Sequence, residues 1–242
     1  RLAEGDAFNS LQVKRSTNRI KSLGYFQEKF EVEQKQGSAP DRIILEANVE
    51  EKPTGQLLLG AGFSSADKLV VSTSIAQNNI FGSGNYVAAS ISTGRTNKVY
   101  SLSQSNPYFT VDGISRAFDV YHRDFNAANV NLGDYQTRST GGGVRFGYPL
   151  TSRDTIVVGI AGDYTHYSLG ALPPTRLSDY VNTYGANVVT LPLTLSWARD
   201  TRDTAFGPRS GRLQNAGLEI GLPGGNVQYA RINYAQRWFI PV

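Results

Sequence analysis

From Gln56 onward the chain repeats one pattern, with apolar residues at every second position in short runs separated by turn residues. Leu57, Leu59, Ala61 and Phe63 alternate with Leu58, Gly60, Gly62 and Ser64; Val87, Ala89 and Ile91 alternate with Tyr86, Ala88 and Ser90. A period of two sends neighbouring side chains to opposite faces of an extended strand, so each run specifies a strand with one apolar face and one small or polar face. The pattern recurs near 68–77, 98–106, 114–124, 135–148, 154–167, 188–200, 210–222 and 227–240. That makes about ten strands of roughly 9 to 14 residues, the length that a tilted membrane-crossing strand requires.

A soluble two-sheet sandwich would alternate in the same way and bury its apolar face against the second sheet. Two features weigh against it. Ser72-Thr73-Ser74, Ser90-Ile91-Ser92-Thr93, Ser101-Leu102-Ser103-Gln104 and Asp163-Tyr164-Thr165-His166-Tyr167 make one face too polar for a close-packed core. Asp119, Arg123, Asp163, Glu219, Arg231 and Arg237 fall on the face opposite the apolar one, as a wet lumen permits. The expected fold is therefore an antiparallel transmembrane β-barrel wall. Charged residues make up 18%, against about 25% in ordinary soluble domains. No run of about 18 apolar residues exists, so no transmembrane helix is expected, and Arg1-Leu2-Ala3-Glu4 has no signal-peptide pattern; the chain reads as an internal segment. Cysteine is absent, which excludes disulfides and thiolate metal sites. The net charge of +4 is mild and its Lys and Arg are scattered, which argues against a nucleic-acid partner.

Residues 1–52 follow different rules. Asn9 or Ser10 can cap a helix through Leu11, Val13, Ile20 and Leu23, bearing Lys14, Arg15, Arg19 and Lys21 and closed by Gly24. Those cations are read as a wet helix face before any partner contact. Strands are expected at 26–34 and 42–50 around the turn Gly37-Ser38-Ala39-Pro40-Asp41. A helix and a hairpin of this size bury too little surface to stand alone, so they read as the C-terminal part of a small α+β domain. Glu50-Glu51-Lys52-Pro53-Thr54 marks the boundary, giving domains at 1–52 and 53–242.

The connections carry topology. Residues 78–84, 107–113 and 148–153 are short, whereas 125–134 and 168–187 are longer and polar. Outer-membrane barrels have short periplasmic turns and long outer loops, which places residues 1–52 in the periplasm. The turn Asn106-Pro107-Tyr108-Phe109-Thr110-Val111-Asp112-Gly113 is unusual in its filling. Pro107 interrupts the ladder and Asp112-Gly113 tolerates a positive φ, but Tyr108, Phe109 and Val111 are bulky, as expected of a bend at a membrane interface.

Enzyme chemistry has little to build on. His122 and His166 both lie in strands, far from a carboxylate cluster, so neither a metal nor any other cofactor is expected. Ser168 stands two residues from His166, the spacing of a shared face, and the pair reads as polar lumen residues before it reads as part of a barrel lipase. Gly141-Gly142-Gly143 lies within a strand and is not a phosphate cradle.

The string Asn106–Gly113 resembles the Omp85 superfamily, and within it the central subunits of bacterial outer-membrane β-barrel assembly machineries. Leu23-Gly24-Tyr25-Phe26 and residues 37–41 look like that branch's last POTRA domain, and Glu51-Lys52-Pro53-Thr54-Gly55 looks like its entry into the barrel. Residues 77–84 resemble the next turn, while Arg199-Asp200-Thr201-Arg202-Asp203 with Pro208-Arg209-Ser210-Gly211 resembles a pattern shared across Omp85 barrels. The resemblance implies a factor that folds and inserts barrel proteins. It makes Gln56, Leu57, Leu58, Leu59, Gly60, Ala61, Gly62, Phe63 and Ser64 the first barrel strand and one side of a lateral gate that pairs with substrate strands. Gly60 and Gly62 would loosen that edge, the plainer reading being relief of crowding in a tilted wall. The implied partners are assembly lipoproteins, with Glu4 a candidate contact, unfolded barrel substrates and outer-membrane lipid. Another Omp85-type translocation pore is the alternative, and a passive porin-like channel a further one, though a porin needs no helix-hairpin domain. The branch has about sixteen strands and a Val-Arg-Gly-Phe/Tyr lumen motif; this chain holds about ten strands and lacks that motif, so it is not expected to close a native barrel alone.

Overall fold

The computed structural model describes Gly5 and residues 7–22, 24–27, 31–65, 67–110, 112–204 and 207–241. The chain divides into two compact units, Arg1–Gly55 and Gln56–Val242.

In the first unit helix α1 spans Ser10–Ser22. Asn9 is its cap: the Asn9 side-chain oxygen accepts from Leu11 N (3.0 Å) and Gln12 N (3.2 Å), satisfying two otherwise orphaned donors. Gly24, at φ 69°, follows the helix with its N–H on Lys21 O. Strands β1 (Glu31–Gln36) and β2 (Ile43–Asn48) pair antiparallel, shorter than expected, and Phe26 pairs separately with Glu51. The expected strand residues Glu28, Lys29 and Phe30 lie outside the described residues. Glu33 and Glu46 stand directly opposite each other, an arrangement that repels. Lys35 bridges both, and its hydrogen bond to Glu46 raises its pKa.

The second unit is one eleven-stranded antiparallel sheet. Its strands are β3 (Gly55–Ser64), β4 (Lys68–Gln77), β5 (Tyr86–Thr93), β6 (Asn97–Asn106), β7 (Ser115–Asn126), β8 (Tyr135–Pro149), β9 (Asp154–Leu169), β10 (Asn187–Thr190), β11 (Pro192–Asp200), β12 (Gly211–Gly221) and β13 (Ala230–Phe239). They follow chain order from β3 at one edge to β13 at the other, with β10 and β11 both on β9. The stretch expected as one strand at 188–200 is thus two. Thr190 faces Asp163 and Leu193 faces Ile160, so the register runs through unchanged; Pro192, having no N–H, interrupts the ladder without shifting it.

The register separates two faces. Tyr100, His122 and Thr140 form one cross-strand row and Leu102, Val120 and Gly142 the next; with Val158, Ile160, Leu195, Ile220 and Ile232 they line one side. Ser90, Ser101, Tyr121, Gly141 and Asp163 line the other. Asp119, Arg123, Asp163, Glu219, Arg231 and Arg237 all fall on this polar side, as the alternation predicts. Among the described residues the only fully buried hydrophobics are Ala127 and Val188. Leaving a Leu, Ile or Phe side chain uncovered forgoes about 1.5–3 kcal/mol, so an apolar face of this extent requires a nonaqueous covering. Among the described residues of this unit no second layer lies on it, which removes the sandwich alternative and leaves lipid.

Connection lengths do not sort by end as expected. At the end where β3 begins, the connections are 78–85, 107–114, 150–153 and 201–210; at the far end, 65–67 and 94–96 are shorter than any of these. Only the later far-end connections, 127–134, 170–186 and 222–229, are longer than three residues. The stretch read as a polar loop at 168–187 contains helix α2 (Thr175–Tyr184), whose Leu177, Tyr180, Val181 and Tyr184 recur at helical spacing. Tyr180 rests against Tyr167 on the polar side, ring centroids 5.6 Å apart. The Asp134 carboxylate accepts from Ala171 N and Leu172 N, tying this loop to the preceding one.

Candidate functional site

Strand β3 is the sheet edge, with β4 on one side only and all ten of its residues exposed. Leu59 is 76% and Phe63 78% exposed. The two glycines differ. A Cβ on Gly60 would sit 2.6 Å from Ser72 Oγ, so its absence relieves crowding on the polar face, whereas Gly62 faces open space. Gly62 is therefore dispensable to the packing of β3, and the crowding argument applies to Gly60 alone.

Behind this edge the polar face is cross-linked by hydrogen bonds. Tyr121 Oη donates to Asp163 Oδ2 (2.5 Å), Thr165 Oγ1 donates to Asp163 Oδ1 (2.7 Å), and Ser139 and Thr165 hydroxyls lie 2.8 Å apart. Arg145 Nη2 meets Asp119 Oδ1 at 2.7 Å. Further along, Tyr229 donates to Glu219 (2.7 Å), with Arg231 beside it at 3.7 Å. Such pairing lets charged groups occupy a lumen wall without unpaired charge.

The turn at 106–113 is built by its polar residues. Asn106 Oδ1 accepts from Tyr108 N (2.9 Å), Gly113 takes φ 86°, and Gly113 N bonds Thr110 O. Val111 lies outside the described residues. Phe109 does not simply point into a membrane interface; it folds onto the apolar side of the wall. Its ring lies 6.2 Å from that of Phe146 and 4.2 Å beneath the Arg116 guanidinium, which also covers Phe118 at 4.9 Å. Arg116 Nε is buried without a hydrogen-bond partner, so the two ring faces are its compensation. Phe109→Ser should lower stability by about 1–2 kcal/mol, in detergent and bilayer alike, because the lost contacts are with protein. Urea unfolding in both media measures this, and a loss confined to the bilayer would assign the ring to lipid instead.

The turn at 199–211 explains its own composition. Arg202 forks onto the Asp200 carboxylate (Nη2 to Oδ2, 2.6 Å), and Asp203 Oδ1 accepts from Thr204 N, Arg209 N and Ser210 N at 2.9, 3.1 and 3.3 Å. Lost hydration works against the Asp203 charge, but the N–H groups of Ser210, Arg209 and Thr204 prevail and lower its pKa. Thr201 and Arg212 exchange bonds across the neck of the turn.

Other expected residues separate. Glu4 lies outside the described residues. His166 and Ser168 are not lumen residues: they continue the parity of Ile160 and Tyr164, on the apolar side, beyond its far end. The sequence had the signal, since parity along one strand does not change where the membrane stops. Gly141-Gly142-Gly143 lies in β8, as expected. Among the described residues no three His, Asp or Glu side chains gather as metal ligands, and no helix is long and apolar enough to cross a membrane. A basic row formed by Lys98, Arg138 and His166 escaped notice because only the cross-strand register assembles it.

A sheet with an apolar outer side, a hydrogen-bonded polar inner side and chain-order strand pairing is the wall of an outer-membrane-type β-barrel. Residues 79–242 match the Omp85 superfamily domain, and the chain belongs to that superfamily. It is a homologue of outer membrane protein assembly factor BamA, a bacterial outer-membrane protein and not an enzyme. The BamA of Neisseria meningitidis serogroup B is 32% identical over 253 residues, spanning 100% of this chain and 32% of that protein. That of Nitratidesulfovibrio vulgaris is 25% identical, over 91% of this chain and 27% of its own length. The chain thus spans about a third of these relatives. In fold it is similar to the crystal structure of BamA from Haemophilus ducreyi lacking POTRA domains 1–3, with TM-score 0.82 and 20% identity over 98% of this chain and 47% of that one. CdiB from Escherichia coli is more distant, with TM-score 0.57 and 14% identity over 96% of this chain and 46% of that one.

Proposed function

We propose that this chain is the working edge of an outer-membrane protein assembly factor, with β3 as one side of a lateral gate. Two strands, β3 and β13, end the sheet, and the observation that selects β3 is its place as the first strand after the N-terminal unit, in a chain that matches the Neisseria BamA over its whole length. An edge strand presents unpaired N–H and C=O groups, which template an incoming strand by β-augmentation. Catalysis here is exchange of strand pairing, with no covalent bond broken. The likeness to the Neisseria BamA across the whole chain supports the same activity.

In this proposal residues 1–52 are the C-terminal part of the last POTRA domain and lie in the periplasm, residues 53–242 begin the barrel, and the turns at 78–85, 107–114, 150–153 and 201–210 face the periplasm. The partners are unfolded barrel substrates at β3, assembly lipoproteins at the N-terminal unit, for which Glu4 is the candidate contact, and surrounding lipid. Single cysteines at Leu57, Leu59, Ala61 and Phe63 in the full-length protein should form adducts with a stalled barrel substrate in cells, while cysteines at Leu102 and Val120 in the sheet interior should not. Absence of adducts at every β3 position, or equal yields at the interior controls, would remove the gate assignment and favour a pore that passes substrates without pairing to them.

A further inference from the structure

The far end of the apolar side carries a cluster that strand exchange does not use. Register places Lys98, Asp124, Arg138, His166 and Asn187 in one row across β6 to β10, directly beyond the row Tyr100, His122, Thr140 and Tyr164. All of the first row but Asn187, with Arg95 from the 94–96 turn and Gln136 and Ser168 one row further out, line a groove of ≈ 260 Å³. That is smaller than a drug-sized ligand pocket and suits a compact headgroup.

Charge in the groove is one-sided. Arg95, Lys98 and Arg138 bring three fixed positive charges against the carboxylate of Asp124. Asp124 is already engaged by Arg138 Nε (2.8 Å) and His122 Nε2 (3.7 Å). Among the described residues no carboxylate lies in ion-pair range of Arg95 or Lys98. Arg138 spends Nε on Asp124 and keeps its terminal nitrogens for a second oxyanion. The His166 Nδ1–H is held by Asn187 Oδ1 (2.6 Å), which fixes the ring with Nε2 as its remaining polar atom.

The groove is also built rather than draped. Thr96 is 5% exposed, and its N–H donates to Asp67 Oδ1 (3.0 Å). Arg95 N donates to Asp67 O, Asn126 N donates to Thr96 O, and Asn129 Nδ2 donates to Arg95 O (2.9 Å). Two neighbouring connections and the end of β7 therefore clamp the turn that presents Arg95.

We propose that this groove binds the phosphate of a phosphorylated membrane lipid in the leaflet at the far end of the barrel. A lipid is favoured over a soluble anion because the rows beneath the groove, Tyr100 and Tyr164 and then Leu102 and Val120, offer an apolar track for its acyl chains. The arrangement depends only on the apolar side meeting lipid and is independent of the role given to β3.

The test uses the full-length protein in nanodiscs of phosphatidylcholine containing a minor fraction of a diphosphorylated glucosamine lipid, with lipid occupancy read by native mass spectrometry. Each basic side chain at an anionic membrane surface contributes about a factor of five, so Arg95→Gln/Lys98→Gln/Arg138→Gln should weaken retention of the phosphorylated lipid roughly a hundredfold. Phosphatidylcholine binding and the heat-shifted mobility of the folded barrel should be unchanged. Arg123→Gln, on the lumen side, should retain the lipid fully. Unaltered retention by the triple variant, or equal loss in Arg123→Gln, would overturn the site. Displacement of the lipid by inorganic phosphate alone would overturn the lipid assignment. Should the triple variant fail to fold, Lys98→Gln alone must still weaken retention several-fold for the proposal to stand.

Discussion

Replacing Gly211 by Val should sharply lower accumulation of the folded protein. Gly211 opens β12 at φ 110°, in the region that only glycine occupies without strain, and its missing side chain faces the chain itself. A Cβ there would fall against Thr201 O and within 2.8 Å of Arg202 Cα, both backbone atoms that cannot swing aside. Strain of about 1–3 kcal/mol from the dihedral adds to a similar overpacking term, a total near 4 kcal/mol against a typical stability of about 5–15. The collision also breaks the Thr201–Arg212 exchange that closes the turn. Heat-shifted electrophoretic mobility in outer-membrane fractions measures the outcome. Gly62→Ala, which meets open space, should accumulate normally. A folded Gly211→Val protein at wild-type level would mean that the turn has another conformation.

Gly141→Val should be nearly as damaging, by a different route. The added Cβ would stand 2.7 Å from Tyr121 Oη and 2.9 Å from both Asp163 Oδ2 and Gly162 O. It must push apart the 2.5 Å Tyr121–Asp163 hydrogen bond or move the neighbouring strand. Overpacking and a lost bond to a carboxylate together cost about 3 kcal/mol. Gly162→Ala is the matched control, since its nearest neighbour would be Leu191 Cδ2 at an ordinary 3.7 Å. Urea midpoints in one detergent should fall for the first and stay for the second; equal midpoints would show that the polar face yields.

What was legible in the sequence followed from local rules. The period of two located every strand of the β3-to-β13 path, and because parity is strict it also placed Asp119, Arg123, Asp163, Glu219, Arg231 and Arg237 together. Asn9 and Gly24 announced the limits of α1 through capping chemistry. Failures came where two rules competed. Polarity was equated with the lumen at His166 and Ser168, although parity keeps them on the side of Ile160 and Tyr164. Helix α2 was hidden because a polar stretch between strands reads as loop unless Leu177, Tyr180, Val181 and Tyr184 are counted at helical spacing. Pro192 divided a strand that alternation alone joins. The fold was thus readable from single strands, whereas the basic row and the packing of Phe109 on Arg116 and Phe146 exist only once strands are placed side by side.

With Ala127 and Val188 as its only fully enclosed hydrophobics among the described residues, the sheet inverts the usual map of tolerance to change. In a water-soluble protein, large apolar side chains are confined by neighbours and exchange poorly. Here Leu102, Val120, Ile160 and Ile232 meet a fluid that accommodates any apolar outline, so their identity is nearly free while their polarity is not. The constrained positions are the small ones on the wet side, where Gly60, Gly141, Gly143 and Gly159 leave no room for a methyl group. Substitutions over time should therefore accumulate on the outer wall, and related chains should diverge most in the residues that contribute most of their hydrophobicity.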